Sequence, residues 1–356
     1  MLMKAAALLL VCAGLVSGVG CSSSSTSRYL YAALPGSGAG QIVAYREDPN
    51  SGALTQLASS PITAGASVES LAMHPSGKYL YAANAGAGNV SEYTIGSSGS
   101  LTAVTPSPNA GTAPTLLAID PAGAYLYVAN TGSFDITIFS IDASTGVLTQ
   151  VGNSFPIGMS ALNMQLAPSG GVLYVTGAGS PGFIQGFMLS QGTVTGVVPN
   201  SPFLTGTNPT GLAIDPGGKF LYTANRLDNS ISEFPINADG SLGVSTTIGE
   251  SYTSPAALFI DKSGKYLYVA NQGSGNLAAY SIGATDGSLA LLSTSPFGTG
   301  SQPSVIAGDP SGKYLFVGNQ ASSALQSFQL DGSSGTLTSV SSYAIGSTPT
   351  SIVLTP

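Results

Sequence analysis

The chain has 356 residues and a formal net charge of −7, and only 7% of its residues are charged. A chain this acidic and weakly charged disfavours binding to nucleic acid or to an anionic membrane surface, because either partner requires a basic patch. Sparse charge also argues against a solvated helical protein, in which about a quarter of the residues are charged.

The N-terminus has the pattern of an export signal, in which Lys4 precedes an apolar stretch from Ala5 to Val19 and small residues lead to Cys21. We predict that residues 1–20 are removed. Gly18-Val19-Gly20-Cys21 resembles the lipobox of bacterial lipoproteins, in which the Cys is lipidated, although that motif usually has Leu where Gly18 stands. A plain secretory signal is the alternative.

Residues 21–27 are predicted to form a lipidated Cys21 and a short Ser/Thr tether. Cys12 lies inside the signal, so only Cys21 remains in the mature chain and no disulfide is predicted. Beyond the signal no apolar run reaches membrane-spanning length. We therefore expect an exported bacterial lipoprotein, periplasmic or at the outer membrane, which is monomeric and contacts the membrane only through the lipid at Cys21.

After the tether, copies of the motif Asp309-Pro-Ser-Gly-Lys-Tyr-Leu-Phe-Val-Gly-Asn319 recur along the chain. The closing Asn recurs at residues 84, 130, 225, 271 and 319, with Ala33 and Gly177 in the equivalent places, at steps of 46 to 51 residues. That period suits four short strands per unit. Residues 28–356 are therefore predicted to form one domain of seven repeats.

Each repeat contains four strand signals, which we call A to D. Strand A leads into the motif, strand B is its Tyr-Leu-Tyr run, strand C contains one aromatic residue, and strand D follows a Gly-x-Leu-Thr-like turn. Strand A is predicted at 67–73, 114–119, 161–166, 209–214, 255–260, 303–308 and 349–354. The strand C rings, expected to pack between repeats, are Tyr45, Tyr93, Phe139, Phe187, Phe234, Tyr280 and Phe328.

The two ends of the repeat region are complementary. The chain enters at strand B, near Arg28, and finishes on a strand A, Thr350 to Leu354, that has no partner in its own repeat. Pairing of the last strand with the first repeat closes a ring. The sequence thus predicts an all-β, seven-bladed β-propeller with four antiparallel strands per blade, closed by its C-terminal strand.

Antiparallel strands place the A–B and C–D turns on one face of the disc, here the turn face, and the B–C and D–A loops on the other, the loop face. His74 occupies the position of the turn Asp in other repeats, so we expect a structural role for it and not general-base catalysis. Glu92 and Glu233 fall in the middle of strand C and are expected to point outward.

Arg226 is the only basic residue predicted on the loop face, and Asn225-Arg226-Leu227-Asp228-Asn229 replaces the Asn-x-Gly-Ser loops of other repeats. We predict Arg226 and Glu250 as catalytic residues, one binding or polarising a carbonyl and the other acting as base on water. The alternative is an exposed ion pair. The candidate ligand-binding residues are Glu69, Asp135, Asp228 and Tyr252.

No cofactor is predicted, and the sequence has no His/Cys cluster for zinc or another transition metal. Asp135, Asp228 and Glu250 have the oxygen atoms that Ca²⁺ prefers, but they belong to different blades. A calcium site is therefore only a third hypothesis.

These repeats, together with Ser230-Ile-Ser-Glu-Phe234 and the Gly-x-Leu-Thr turns, resemble those of lactonase-type seven-bladed propellers, including the propeller form of 6-phosphogluconolactonase. The resemblance covers residues 28–356 and rests on scaffold motifs. It implies that water hydrolyses a cyclic sugar ester on the loop face. A phosphorylated lactone needs several cationic or amide contacts, whereas this face offers one Arg, and an exported protein would not meet cytosolic sugar phosphates. We therefore expect a lactone without phosphate.

Two functions remain open at this point. The resemblance favours a lactone hydrolase of the cell envelope. The sparse titratable residues and the export signal favour a non-catalytic propeller, displayed at the surface, that binds a glycan or a protein partner through its Gly/Ser-rich loops or its central opening.

Overall fold

The computed structural model describes residues 27–36, 38–249 and 251–356, and these residues form seven antiparallel β-sheets. Each sheet is one blade of a propeller, which confirms the predicted all-β, seven-bladed fold. The predicted signal at residues 1–20, Cys21 and Glu250 lie outside the described residues. The described part of the chain has no helix that is both long and apolar enough to cross a membrane.

The strands follow the predicted order A to D within each blade, and blade 1 takes its strand A from the end of the chain. In chain order the strands are β1 (Arg28–Leu34), β2 (Ala39–Glu47), β3 (Leu54–Gln56) and β4 (Ile62–Ala66) in blade 1; β5 (Val68–Met73), β6 (Tyr79–Asn84), β7 (Asn89–Ile95) and β8 (Leu101–Val104) in blade 2; β9 (Pro114–Ile119), β10 (Tyr125–Asn130), β11 (Asp135–Ile141), β12 (Leu148–Gln150) and β13 (Phe155–Pro156) in blade 3; and β14 (Ala161–Leu166), β15 (Val172–Gly177), β16 (Gly182–Ser190), β17 (Thr193–Val197) and β18 (Phe203–Thr205) in blade 4. They continue as β19 (Pro209–Ile214), β20 (Phe220–Asn225), β21 (Ser230–Pro235) and β22 (Thr246–Gly249) in blade 5; β23 (Pro255–Ile260), β24 (Tyr266–Asn271), β25 (Asn276–Ile282), β26 (Leu289–Leu291) and β27 (Phe297–Gly298) in blade 6; β28 (Pro303–Gly308), β29 (Tyr314–Asn319), β30 (Ala324–Leu330) and β31 (Leu337–Ala344) in blade 7; and β32 (Ser351–Leu354), which returns to blade 1.

Strand A is the innermost strand of every blade. The A strands contact one another in a closed circle, from β32 through β5, β9, β14, β19, β23 and β28 back to β32. Their predicted bounds are confirmed to within two residues. The outer position of strand D is filled by two short strands in blades 1, 3, 4 and 6.

The C-terminal strand closes the ring as predicted. β32 pairs antiparallel with β1, with Leu354 opposite Leu30 and Ser351 opposite Ala33. Beyond the strand, the Thr355 N–H donates to the Tyr29 carbonyl at 2.9 Å. One position in blade 1 differs from the prediction: Leu34, not Ala33, takes the place of the closing Asn, because Leu34 forms the terminal pair of β1 with β2.

The apolar core consists of seven clusters, one at each contact between neighbouring blades. Each cluster joins aromatic or apolar residues of strand B in one blade to the strand C ring of the next, as Tyr31 and Tyr93 show for blades 1 and 2. All seven strand C rings are buried, which confirms that they pack between repeats. The core is therefore a ring of interfaces and has no single centre.

One recurring contact joins strand B of each blade to the C–D turn of the next, and we call it the tyrosine–glycine clamp. The second Tyr of Tyr-Leu-Tyr donates its hydroxyl to the carbonyl of the turn Gly, as in Tyr81 to Gly146 at 2.8 Å. The first ring of the motif, Tyr79 here, lies directly against the same Gly, whose φ is +75°. A Cβ on Gly146 would overlap that ring, so the turn requires Gly for its backbone conformation and for its close contact.

The clamp recurs around the ring. The other hydroxyl-to-carbonyl bonds, at 2.7 to 2.9 Å, join Tyr31 to Gly99, Tyr174 to Gly240, Tyr222 to Gly287 and Tyr268 to Gly335. The other ring-on-glycine contacts join Tyr29 to Gly99, Tyr125 to Gly192, Phe220 to Gly287, Tyr266 to Gly335 and Tyr314 to Gly52.

Glu92 and Glu233 correct the prediction, because neither points outward. Glu92 is 3% exposed and Glu233 is 7% exposed. A strand C residue faces a neighbouring blade whichever side of the sheet it occupies, so the middle of this strand has no solvent face. The Glu92 carboxyl accepts from the Leu148 N–H of the next blade at 3.1 Å. Burial raises the pKa of each carboxyl to about 7.

Deletion of residues 349–356 removes β32 and leaves β1 without its inner partner. We expect the cooperative thermal unfolding transition to be lost, because an open ring exposes the blade 1 edge and two apolar clusters. Circular dichroism melting measures this, with deletion of Pro356 alone as the control. An unchanged melting curve after the longer deletion would show that the ring does not depend on this strand.

Replacement of Gly146 with Ala tests the clamp. Gly158 also has a positive φ, +69°, but a Cβ there would contact nothing. Gly158→Ala should therefore cost only the backbone term of about 1–2 kcal/mol. Gly146→Ala adds overlap with Tyr79 and should cost about 1–3 kcal/mol more. Urea denaturation gives both values, and equal losses would contradict a steric role for the ring.

Glu92 and Glu233 should make stability depend on pH. Their folded-state pKa values, near 7, lie above the ordinary 4.5, so the folded state binds more protons than the unfolded state between these values. The free energy of unfolding should therefore fall as pH rises from about 5 to about 8. Glu92→Gln should flatten that slope in urea denaturation across this range. Asp142, an exposed turn carboxylate with a pKa of about 2, is the control: Asp142→Asn should leave the slope unchanged.

Candidate functional site

The loop-face opening of the central channel is built by one irregularity that recurs in the A strands. In blades 2 to 7 the pairing of strand A with strand B shifts after its first residue, and one residue is bulged out of the ladder. A β-bulge turns a side chain away from the sheet. The bulged residues, with Thr350 as the equivalent in blade 1, form what we call the mouth ring: Glu69, Thr115, Leu162, Thr210, Ala256, Ser304 and Thr350.

A cavity of about 430 Å³ lies beside the mouth-ring residues of blades 1, 2, 3, 4 and 7. Glu69, Thr115, Leu162, Ser304 and Thr350 line this cavity. Four of the seven ring residues have hydroxyl groups, two are apolar, and Glu69 is the one with a charge. Hydroxyl groups donate and accept hydrogen bonds, so a polar, uncharged ligand suits this lining.

A second set of residues, the rim, follows strand B directly and lies above the mouth ring. Thr131 and Gln320 belong to the rim and line the same cavity. The rim residues of neighbouring blades meet, since the Gln272 Nε2 donates to the Gln320 Oε1 at 2.6 Å. Arg226 holds the rim position in blade 5.

The backbone that positions Arg226 has the same construction in five blades. Asn208, immediately before strand A, has a positive φ of +57°. Its carbonyl accepts from the Arg226 N–H at 3.1 Å. Ser67, Ala113, Ser254 and Gln302 have the same conformation and accept in the same way from Ala85, Thr131, Gln272 and Gln320. Arg226 is therefore a charged side chain placed on a regular scaffold position.

Glu69 is half-buried in the mouth, and burial raises its pKa above the ordinary carboxyl value. It belongs to blade 2, whereas Arg226 belongs to blade 5. Blades three steps apart in a ring of seven lie on nearly opposite sides of the channel. Glu69 lines the mouth cavity, whereas Arg226 lies on the blade 5 side of the opening, outside the residues that line it.

Asp135 and Asp228 make hydrogen bonds to residues of neighbouring loops and strand ends. The Asp135 carboxylate accepts from the Asn130 Nδ2 at 2.7 Å. The Asp228 carboxylate accepts from the Thr207 N–H, between the B–C and D–A loops of blade 5. Each carboxylate caps a loop in its own blade, and the structure does not bring the two together. The described residues contain no group of three or more His, Cys, Asp and Glu side chains arranged to hold a metal ion.

Tyr252 packs its half-buried ring against the apolar cluster between blades 5 and 6. Glu250, two residues earlier, lies outside the described residues, so the predicted pairing of Arg226 with Glu250 stays a prediction. The ligand-binding roles of Tyr252, Asp135 and Asp228 also stay predictions.

His74 has the structural role that its repeat position predicts. Its Nε2–H donates to the Gly123 carbonyl of blade 3 at 2.9 Å. Its Nδ1 accepts from the Ser76 N–H at 3.1 Å. The imidazole is buried on the turn face, on the opposite side of the disc from the mouth ring.

The sequence prediction missed the polar lining of the mouth, which includes Thr115, Ser304, Thr350 and Gln320. A signal was available, because the first three occupy the same repeat position as Glu69. The importance of that position depends on the bulge, which strand periodicity does not reveal.

The comparisons with known proteins agree with this geometry. A sequence model described as lactonase, 7-bladed beta-propeller, matches residues 21–106, 62–162, 161–250, 184–305 and 247–354. These segments together cover the whole ring. This chain belongs to the lactonase seven-bladed β-propeller family. A search of the curated proteins by sequence found no match.

The lactonase-family propeller is also similar in fold to several solved structures. A structure from Bacteroides fragilis, provisionally assigned as a 6-phosphogluconolactonase, superposes with a TM-score of 0.80 at 21% identity. The match covers 94% of this chain and 99% of that one. The periplasmic gluconolactonase of Pseudomonas aeruginosa has a TM-score of 0.77 at 20% identity, covering 93% and 99%. Identities this low show a shared fold.

Proposed function

We propose that this lactonase-family propeller hydrolyses a lactone without phosphate at the mouth of its central channel. The observation that carries the proposal is Glu69, a half-buried carboxyl that lines a cavity whose other lining residues are uncharged, with Arg226 in the rim position of blade 5. Family membership supports lactone chemistry, and the names of the gluconolactonase and provisional 6-phosphogluconolactonase neighbours support a sugar lactone.

The proposed reaction uses Glu69 as general base. Its carboxylate takes a proton from water as the water oxygen bonds to the lactone carbonyl carbon. The carbonyl oxygen becomes an oxyanion, which the Arg226 guanidinium stabilises. The ring C–O bond then breaks, and the proton on Glu69 passes to the departing ring oxygen. The product is an open-chain hydroxy acid, which ionises at neutral pH.

The raised pKa of Glu69 suits this role. A base is most effective when its pKa lies near the working pH, and burial moves the carboxyl in that direction. Glu250, which the sequence assigns to a D–A loop on the same face, is the alternative base. The surroundings of Glu69 disfavour a phosphate, because a dianion would face this carboxylate with one guanidinium to bind it.

The cellular location forms part of the proposal. Residues 1–27 support export and lipidation at Cys21, which would keep the propeller in the bacterial cell envelope. An extracytoplasmic enzyme would meet neutral sugar lactones formed outside the cytoplasm. This reasoning and the cavity lining point to the same substrate class.

Acid release in a pH-stat, corrected for spontaneous hydrolysis, tests the proposal on glucono-1,5-lactone, γ-butyrolactone and 6-phosphoglucono-lactone. We expect the neutral sugar lactone to be hydrolysed fastest. Glu69→Gln should lower kcat by about 10²–10⁴-fold and abolish the rise in rate as Glu69 loses its proton. Arg226→Ala should lower kcat by about 10²-fold.

Two controls make the result specific. Glu92→Gln changes a buried carboxyl outside the mouth and should retain wild-type activity. Glu250→Gln separates the two candidate bases: an inactive Glu250→Gln beside an active Glu69→Gln would assign the base to Glu250. Absence of turnover on every lactone would contradict hydrolysis and leave a propeller that binds a glycan or protein.

A further inference from the structure

Blade 4 departs from the repeat on the turn face, far from the mouth ring. Six blades begin strand B with an aromatic ring that lies on the turn Gly of the following blade. Blade 4 has Val172 at this position and Ala167 in place of the turn Asp. Val172 touches Gly240 of blade 5, and Tyr174 still donates to the Gly240 carbonyl at 2.7 Å. The clamp keeps its hydrogen bond here but has lost its ring.

The lost ring leaves a cavity of about 560 Å³ between blades 4 and 5, which we call the interblade pocket. This size falls within the range of about 300–1,000 Å³ for small-molecule sites. Val172, Met188, Leu189 and Ile236 form its apolar wall. Ile236 occupies the repeat position of Ile95, which packs against the cluster that contains the Tyr29 ring between blades 1 and 2.

The pocket also has a free hydrogen-bond acceptor where the missing hydroxyl would end. In blade 2 the turn Gly96–Gly99 closes with two backbone bonds, and the Ser97 carbonyl accepts from the Tyr29 hydroxyl at 2.8 Å. The turn Asn237–Gly240 of blade 5 has the same two bonds. Ala238 is therefore the equivalent of Ser97. Its carbonyl accepts from no described residue.

The charge at the pocket edge selects against anions. Hydrogen bonds from Ser241 lower the pKa of Asp239, so this carboxylate is ionised at neutral pH. An anionic ligand would be repelled, whereas a neutral aromatic ligand with a hydroxyl would satisfy the apolar wall and the Ala238 carbonyl together.

We propose that the interblade pocket binds a small neutral molecule that contains a phenol ring. The ring takes the place of the missing tyrosine ring, packed on Val172 and Gly240, and its hydroxyl donates to the Ala238 carbonyl. The site is independent of the lactone chemistry, because it lies on the other face of the disc.

p-Cresol, the side-chain analogue of tyrosine, is the probe. Its binding to the full mature chain is measured by saturation-transfer NMR and by the rise in melting temperature with ligand concentration. Val172→Tyr refills the pocket and should weaken p-cresol binding by at least about tenfold, while raising the melting temperature of the unliganded protein. Val244→Tyr is the matched control, because Val244 is 92% exposed, and it should bind p-cresol like wild type.

Two further comparisons test the details. Toluene, which lacks the hydroxyl, should bind more weakly than p-cresol, by about three- to tenfold for one lost hydrogen bond. Tyr266 lies on Gly335 and donates to the Ser333 carbonyl at 2.7 Å, so Tyr266→Val should open a second pocket of the same kind. p-Cresol should then raise the melting temperature of Tyr266→Val more than that of wild type.

Three results would overturn the proposal. The first is equal p-cresol binding by wild type and Val172→Tyr, which would move the site elsewhere. The second is absence of p-cresol binding to wild type at millimolar concentration. The third is a dimer of wild type that Val172→Tyr converts to a monomer in sedimentation, because the occupant would then be a second copy of this chain.

Discussion

The tyrosine–glycine clamp is the contact on which the ring depends. It buries two aromatic residues, satisfies a hydroxyl against a backbone carbonyl and excludes a Cβ at the turn, all within one interface. Each clamp joins only neighbouring blades, so the interfaces share the stability of the whole disc. Because β32 closes the ring, blade 1 has its innermost strand like the other six blades.

Because the repeat is so regular, one residue that differs from its equivalents in the other blades can give its position a different chemistry. Glu69 and Arg226 each occupy an ordinary scaffold position, a bulge and a rim site, at which other blades have neutral side chains. Val172 is a similar departure on the turn face, where loss of one ring leaves a pocket without breaking the neighbouring hydrogen bond. The repeat thus supplies the reference against which both candidate sites stand out.

Several carboxyls in this protein have raised pKa values for the same physical reason, desolvation, yet their surroundings differ. Glu92 is enclosed between blades and bonded to the next backbone. The carboxyl of Glu47, a residue 1% exposed, has no hydrogen-bond partner among the described residues. It lies near the 3.1 Å ion pair of Arg28 with Asp309, between blades 1 and 7. Glu69 opens onto a cavity. A raised pKa is therefore shared by carboxyls in different surroundings, and of these three only Glu69 lines the mouth cavity.

The repeats were enough to predict the number of blades, the order of strands, the bounds of strand A and the closing role of the last strand. These properties follow from local patterns that recur with a fixed period, and they do not depend on knowing which blades become neighbours. The burial of Glu92 and Glu233 could not be predicted in this way, because it depends on both faces of strand C lying against other blades. The lining of the mouth cavity around Glu69 and the pocket beside Val172 likewise depend on which blades meet. Ring closure sets the distances between residues remote in sequence, and side-chain periodicity within one repeat contains no information about them.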